Sequence, residues 1–369
     1  MNKKICHIST VHIQTDTRIL HRECVSLVER GFDVHLIVVN QQSTQYKGVQ
    51  VHSVQVDYSN RFQRMLRAGK VALKEALALD ADLYHLHDPE LLLIAKRLQQ
   101  AGKVVVFDSH EHVPQQILNK TYLPRWIRPI IATAYSWFEK SRIGRVDGLV
   151  TATDLVRERF LPLNPQTVDV NNYPRLDTLY AEEDWSKKTR DVVYVGLINE
   201  IRGIRPLMDA LALPGDWRLT LIGSFGDPKL EREMRAHPGW KRVDFLGRKD
   251  REEVAQLLAA SRIGLVTFLP APNHDKNQPN KLFEYMAAGL PIVGSHFPRW
   301  EKIVSGANCG VCVNPADPKA IDQAVTTILQ DTNQAKQYGI NARKAMENDY
   351  NWQTEEDKLV GLYQRLLNS

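Results

Sequence analysis

A rhythm of short apolar runs separated by helical stretches occurs twice in this chain, and it restricts the fold more than any other feature. In the first half, residues 4–9, 33–39, 49–56, 82–87, 104–108 and 148–152 read as strands, with helices filling the intervals. The rhythm restarts with 191–195, 218–222, 243–245, 263–268, 291–294 and 310–313. Strand alternating with helix predicts parallel sheets, because parallel neighbours need a crossover and the crossover helices cover both faces. Sites in such sheets lie beyond the carboxyl ends of the strands. At 369 residues the chain exceeds what one core usually sustains, so two α/β domains are expected. Residues 161–190 contain Pro162, Pro165, Asn171-Asn172-Tyr173-Pro174 and the charged stretch 182–190, and none of these reads as a core element. The expected division is 1–165, a linker over 166–190, a second domain over 191–345, and a final helical segment over 346–369 with Leu359, Leu362, Tyr363 and Leu366 at helical spacing.

Composition excludes several classes. With 43 % hydrophobic and 25 % charged residues and no low-complexity block, the chain reads as an ordinary globular α/β protein. Lys3 and Lys4 are followed by a strand-like run and not by a long apolar region, and no segment approaches the roughly 18 apolar residues of a membrane span, so a cytoplasmic location is expected. The net charge of +5, from 48 basic and 43 acidic residues, is modest, and nothing resembles a nucleic-acid module. Of the four cysteines, Cys309 and Cys312 form a lone C-x-x-C with no second pair or histidine cluster beside it, which favours buried free thiols over a metal or redox site.

The stretch P-N-K-L-F-E-Y-M-A-A-G-L-P-I-V-G-S over 279–295 couples a short helix to a buried strand. Asn280 is a candidate N-cap, Gly289 supplies a left-handed residue to end the helix, and Pro291 prevents its continuation before Ile292-Val293. Lys281 and Glu284 share a helix face, yet Glu284 lies one position beyond the capping-box site. Either the two form a surface ion pair worth about 0.5 kcal/mol, or both have another partner.

This segment resembles the donor-site signature of the retaining family-4 glycosyltransferases, of bacterial surface-polysaccharide type. The resemblance implies a GT-B fold, two Rossmann-like domains whose parallel sheets face a central cleft. It implies that Glu284 holds the ribose hydroxyls of a nucleotide sugar, that Lys281 faces its diphosphate, and that Leu282 lies in the donor site. The first domain would bind the acceptor, the second the donor, and the last helix would cross back to the first domain. The implied reaction is metal-independent transfer of a hexosyl unit, with retention, from a nucleotide sugar to a saccharide or lipid-linked saccharide. A UDP-sugar is favoured and a GDP-sugar is possible, and no cofactor is needed.

A diphosphate leaving group accepts negative charge, so without metal it needs cations or backbone N–H donors. Residues 193–203 read as a strand, a glycine turn at Gly196, then Arg202 and Gly203 opening a helix. Arg202 matches the family's second basic position, while Leu197 replaces the first, leaving Arg205 as a substitute. Gly223, in L-I-G-S-F-G over 221–226, and Gly247 with Arg248, in F-L-G-R over 245–248, match nucleotide and base loops; Arg248 is alternatively a surface charge. The position of a second family glutamate, eight residues before Glu284, holds Lys276, with Asp275 adjacent.

In the first domain, V-V-V-F-D-S-H-E-H over 104–112 carries His110, at the family's inter-domain histidine position, and Glu111. His85 and His87 end another strand, and with Glu111, Asp16 and Arg18 they are candidates for the acceptor or leaving group. Arg18 is equally well an ordinary helix-start charge. Ligand-like spacing is not coordination, and no metal is expected. D-A-D over 80–82 precedes a strand and does not follow one, so it is not read as a metal motif. The catalytic set is thus His110, Arg202, Lys281 and Glu284. Residues 61–74 and 122–131 interleave cations with apolar and aromatic residues, which suits an anionic membrane surface or, alternatively, the solvated faces of ordinary helices. Two other classes remain: a GT-B nucleotide-sugar epimerase, and a nucleotide-sugar-binding subunit without catalysis.

Overall fold

The computed structural model describes residues 2–109, 113–119, 123–176, 179, 184–271 and 278–368. The chain divides into two units, one comprising Met1–Asn172 and Trp352–Ser369, the other Tyr173–Asn351.

The first unit is built on an eight-stranded sheet: β1 (Lys4–Ile8), β2 (Asp33–Val39), β3 (Thr44–Tyr46), β4 (Val49–Val54), β5 (Leu83–Leu86), β6 (Val104–Ser109), β7 (Gly148–Thr151) and β8 (Thr167–Asp169). Their spatial order is β3-β4-β2-β1-β5-β6-β7-β8. Every pairing is parallel except β3 with β4. Both faces are covered, so the strands read as apolar runs without alternation, yet successive residues still face opposite layers. Cys6, Ile8, Tyr84 and Leu86 join one apolar layer. Ile5 and Leu83 join the other, which the helix Trp352–Leu367 completes with Trp352, Leu359, Leu362 and Tyr363. The indole N–H of Trp352 donates to Ser26 Oγ at 2.7 Å, so that end of the helix is fixed by a bond as well as by burial.

Two short strands differ from the sequence reading. β3 is an antiparallel edge hairpin with β4. β8 falls in the expected linker, where Leu149–Thr151 pairs with Thr167–Asp169; three residues leave no readable period. The first unit therefore runs through Asn172.

The second unit has six strands, β9 (Arg190–Val195), β10 (Leu219–Ile222), β11 (Val243–Gly247), β12 (Ser261–Val266), β13 (Ile292–Ser295) and β14 (Gly310–Val313), in the order β11-β10-β9-β12-β13-β14. All pairings are parallel. A single apolar core runs through Val192, Leu221, Ile263, Phe283 and Trp300. Cys309 and Cys312 are free thiols, and burial pushes both up to about 12. Among the described residues, no helix is long and apolar enough to cross a membrane.

Candidate active site

In the second unit the chain builds outward from β9 to β11 on one side and from β12 to β14 on the other, so strand order reverses between β9 and β12. Open α/β sheets bind ligands in the crevice at that reversal. Three glycines clear it. Gly196 follows β9, Gly223 follows β10 and Gly247 ends β11, at φ of +126°, +140° and +67°. The Gly196 N–H donates to Ile222 O at 2.8 Å and the Gly223 N–H to Gly247 O at 2.7 Å. A Cβ at position 223 would lie 1.9 Å from Gly196 O. With both of these amides bonded, Gly196 and Gly223 offer a ligand room and not donors.

Beyond β9, Asn199 Oδ1 accepts the Arg202 N–H at 2.9 Å, and Gly203 at φ +79° turns the chain into the helix Ile204–Ala212. This places the Arg202 guanidinium 4.4 Å from the ring centre of Phe268. From the other side comes the helix Asn280–Ala287. Its end is a Schellman motif: Leu290 N–H donates to Tyr285 O and Gly289 N–H to Met286 O, with Gly289 at the expected positive φ. Its position is fixed by Tyr285, whose hydroxyl accepts the Val195 N–H at 2.8 Å and whose ring packs where a side chain on Gly264 would lie.

Lys281 thereby reaches the reversal point. Its side chain is 8 % exposed, and Nζ stands 3.9 Å from the ring centre of Tyr194 and 5.1 Å from that of Phe268. Among the described residues Nζ has no hydrogen-bond partner. Burial and then the neighbouring Arg202 cation hold this amine well below the ordinary lysine range, with Glu284 opposing them. Glu284 is half-buried, and its carboxylate has no ion pair or hydrogen bond among the described residues. The Arg202 cation and the Lys281 amine around one phenyl ring, with three glycine strand ends nearby, suit an anion with a flat attached group.

Several expected residues are placed differently. Pro279 occupies the N-cap, and Asn280 is the first helical residue without a capping bond. Leu282 is fully buried and its N–H donates to Pro279 O, so it supports the helix from the core. Arg205 does not substitute for the missing basic residue at Leu197, because it bonds Glu200 at 2.7 Å and Glu233 at 2.6 Å. Arg248 is an exposed cation. Asp80 and Asp82 sit at the entry to β5, where Asp80 pairs with Lys103 at 2.6 Å and Asp82 accepts the Lys4 N–H at 2.8 Å. His110, Glu111, Asp275 and Lys276 lie outside the described residues. Tyr194 and Phe268, which form the aromatic walls, escaped the sequence reading because an aromatic in an apolar run is indistinguishable from core.

In the first unit strand order reverses between β1 and β5, and there Arg18, His85 and His87, expected to meet an acceptor, are enclosed, while Asp16 is half-buried. Arg18 is 5 % exposed and bonds Asp108 through Nε and Nη2, at 3.0 and 3.3 Å, and Val170 O at 2.7 Å. That guanidinium is committed to the core, since an unpaired charge there costs several kcal/mol. Asp16 accepts the Arg18 and Ile19 amides at 2.9 and 3.0 Å and faces His12. Burial opposes its ionisation, but the bonds from His12 and these amides outweigh it and hold the carboxyl below its usual range. His85 is fully buried and His87 nearly so, with His7 and Glu23 beside them. Burial, then the neighbouring imidazoles, press His7 and His85 well below the usual histidine range, and burial lifts Glu23 well above that of a carboxyl. None of these four is accessible to a substrate. Closer to the rim, Asp88 Oδ2 accepts from Ser9 Oγ at 2.9 Å and from the Thr10 N–H at 2.6 Å, closing the loop after β1.

Comparison with known proteins agrees with this architecture. The family model "Glycosyl transferase 4-like domain" matches residues 17–171, and "Glycosyl transferases group 1" matches 189–331. The chain is 24 % identical over 307 residues to the phosphatidyl-myo-inositol mannosyltransferase of Mycobacterium leprae, covering 79 % of this chain and 75 % of that one. It is 24 % identical over 345 residues to the D-rhamnosyltransferase WbpZ of Pseudomonas aeruginosa, covering 88 % and 85 %. Among solved structures, sucrose-phosphate synthase from Thermosynechococcus elongatus superposes with a TM-score of 0.77 at 19 % identity over the full length of both chains. Anabaena HepE in complex with UDP gives 0.72 at 15 % identity, over 98 % and 100 %. The fold is GT-B, two parallel-sheet α/β domains. The chain is a glycosyltransferase, an enzyme.

Proposed function

We propose that this enzyme is a retaining, family-4-type hexosyltransferase that uses a nucleotide sugar, UDP-linked in the favoured case, without a metal or other cofactor. The observation that carries this reading is Lys281, a buried amine without a hydrogen-bond partner among the described residues, at the strand-order reversal and flanked by Arg202 and the glycine ends of β9 to β11. Here Lys281 and Arg202 neutralise the diphosphate as it departs, and Glu284 accepts hydrogen bonds from the ribose diol. No protein nucleophile is needed when the acceptor hydroxyl attacks on the face the leaving group vacates and a phosphate oxygen takes its proton. His110 would then position sugar and acceptor. HepE bound to UDP and to UDP-glucose supports the UDP preference by analogy of fold. WaaG, a transferase involved in lipopolysaccharide biosynthesis, and WbpZ support a saccharide or lipid-linked acceptor in surface-polysaccharide assembly.

A membrane-facing role for the first unit belongs to the same reading. On the helix Ile127–Ile143 and the residue before it, Trp126, Ile130 and Trp137 lie along one face and are 71 %, 60 % and 76 % exposed. Arg67, Lys70 and Lys74 are exposed on the helix Arg61–Leu79, whereas Arg64 turns inward to Glu90 at 3.5 Å. Aromatics interleaved with cations fit an anionic headgroup layer.

Calorimetric titration with UDP, GDP and ADP, without metal, tests the donor site. One nucleotide should bind selectively. Failure of all three to bind would remove the donor reading, and turnover of the donor without an acceptor would favour an epimerase.

A further inference from the structure

Outside the donor site, four buried side chains from separate parts of the first unit bring their donor atoms together. His7 lies on β1, Glu23 on the π-helical segment Ile19–Cys24, His85 on β5 and His87 one residue beyond it. One nitrogen or oxygen of each lies within 4.8 Å of those of the other three. His7 Nδ1 is 2.8 Å from His87 Nε2. Glu23 Oε2 stands 3.7 Å from His7 Nδ1, 3.8 Å from His85 Nδ1 and 3.8 Å from His87 Nε2. In a tetrahedral centre with bonds near 2.05 Å the ligand atoms are about 3.3 Å apart, so the Glu23 pairs at 3.7 and 3.8 Å need movements of some tenths of an ångström, while the widest separation in the set, up to 4.8 Å, needs about 1.5 Å. A second observation points into the same space: Glu23 is fully buried, and while its Oε1 lies 3.0 Å from Arg18 Nε, its Oε2 accepts no hydrogen bond among the described residues.

We propose that His7, Glu23, His85 and His87 form a structural zinc site that ties β1, β5 and the segment Ile19–Cys24 together. Three imidazoles and one carboxylate in a closed site suit zinc better than magnesium or calcium, which prefer more oxygen ligands. The outer groups are those such a site needs. The other ring nitrogen of His7, Nε2, is 3.3 Å from the Tyr363 hydroxyl, and the other ring nitrogen of His87, Nδ1, is 3.5 Å from Asp108 Oδ2. Arg18 lies 3.0 Å from Glu23 Oε1 and neutralises one of the two carboxylates, Glu23 and Asp108, leaving one negative charge beside the cation. The Tyr363 hydroxyl, 2.6 Å from His85 Nδ1, would release that nitrogen and keep His7 Nε2. The site has no open ligand position, so its role is to hold the fold and not to take part in transfer.

The test is metal analysis and X-ray absorption on the full-length protein, produced in zinc-supplemented medium and dialysed against EDTA. Near-stoichiometric zinc is expected, with only nitrogen and oxygen neighbours at about 2.0–2.1 Å and strong imidazole scattering. Glu23→Gln and His87→Gln should each lose the zinc, and Cys309→Ser should keep it. If the first two variants fail to fold, the wild-type absorption spectrum decides alone. Folded wild-type protein without zinc would overturn the proposal, as would sulfur in the shell, which would trace the metal to Cys309 and Cys312. UDP binding by a zinc-free protein would leave the donor reading intact while this one fell.

Discussion

Lys281 illustrates how much one enclosed amine determines. In the unfolded chain it titrates at about 10.4, whereas in the fold burial and Arg202 hold it well below that range. Between the two values the unfolded state binds the extra proton, so this residue makes stability rise with pH across that interval. Lys281→Met should flatten that rise, measurable as a smaller gain in denaturation midpoint from neutral to alkaline pH than in wild type. The same residue should take up a proton when a diphosphate arrives beside Nζ. Calorimetry of UDP binding at about pH 8, where the free nucleotide's phosphate is already ionised, should give binding heats that depend on the buffer's ionisation enthalpy. Identical heats in two buffers would mean that the amine is already charged. Glu284 is expected to act only on ligand, because its carboxylate supports nothing else in the described fold. Glu284→Ala should lower kcat/KM about 100-fold, near 2.7 kcal/mol, with an unchanged unfolding midpoint.

At the scale of elements, the crevice at the reversal between β9 and β12 depends on turns that admit only glycine. A methyl group at position 223 would meet Gly196 O at 1.9 Å, and one at position 203 would meet Thr267 O at 1.9 Å. Both positions also need positive φ. Gly223→Ala and Gly203→Ala should each cost about 2–4 kcal/mol in chemical denaturation and weaken nucleotide binding together with stability. Gly31, also at positive φ but with open space around its Cβ position, is the control and should cost less. The helix Ile127–Ile143 makes a separate prediction. Replacing Trp126 and Trp137 by alanine should reduce sedimentation with anionic vesicles about tenfold while leaving donor binding unchanged, since both indoles face solvent. No sedimentation by the wild-type protein would end the membrane reading.

For the whole molecule, the decisive element is the helix Trp352–Leu367, which the chain contributes to the first unit only after completing the second. It buries Trp352, Leu359, Leu362 and Tyr363, and its Glu355 accepts the Asn171 N–H at 2.7 Å. Burial of those four side chains is worth roughly 8 kcal/mol, a large part of a domain's net stability. Removing residues 352–369 should abolish the cooperative transition of the first unit and leave that of the second in calorimetry, with UDP binding retained.

The sequence by itself determined the double strand–helix rhythm and the glycine punctuation of β9 to β11, and its motifs named Arg202, Lys281 and Glu284 as candidates. These are local patterns, and local patterns survive as spacing. Only the tertiary structure decided which charges remain available. Arg18 and Arg205 look as free in sequence as Arg202, but carboxylates at sequence distances of 90 and 28 residues take them. His7 and Glu23 carry no signal of their own until a parallel sheet sets β1 beside β5 and brings His85 and His87 to them. Parallel pairing joins strands that a crossover keeps far apart along the chain, so a side chain's partners are fixed by topology and its polarity alone cannot say whether it meets a ligand or a neighbour.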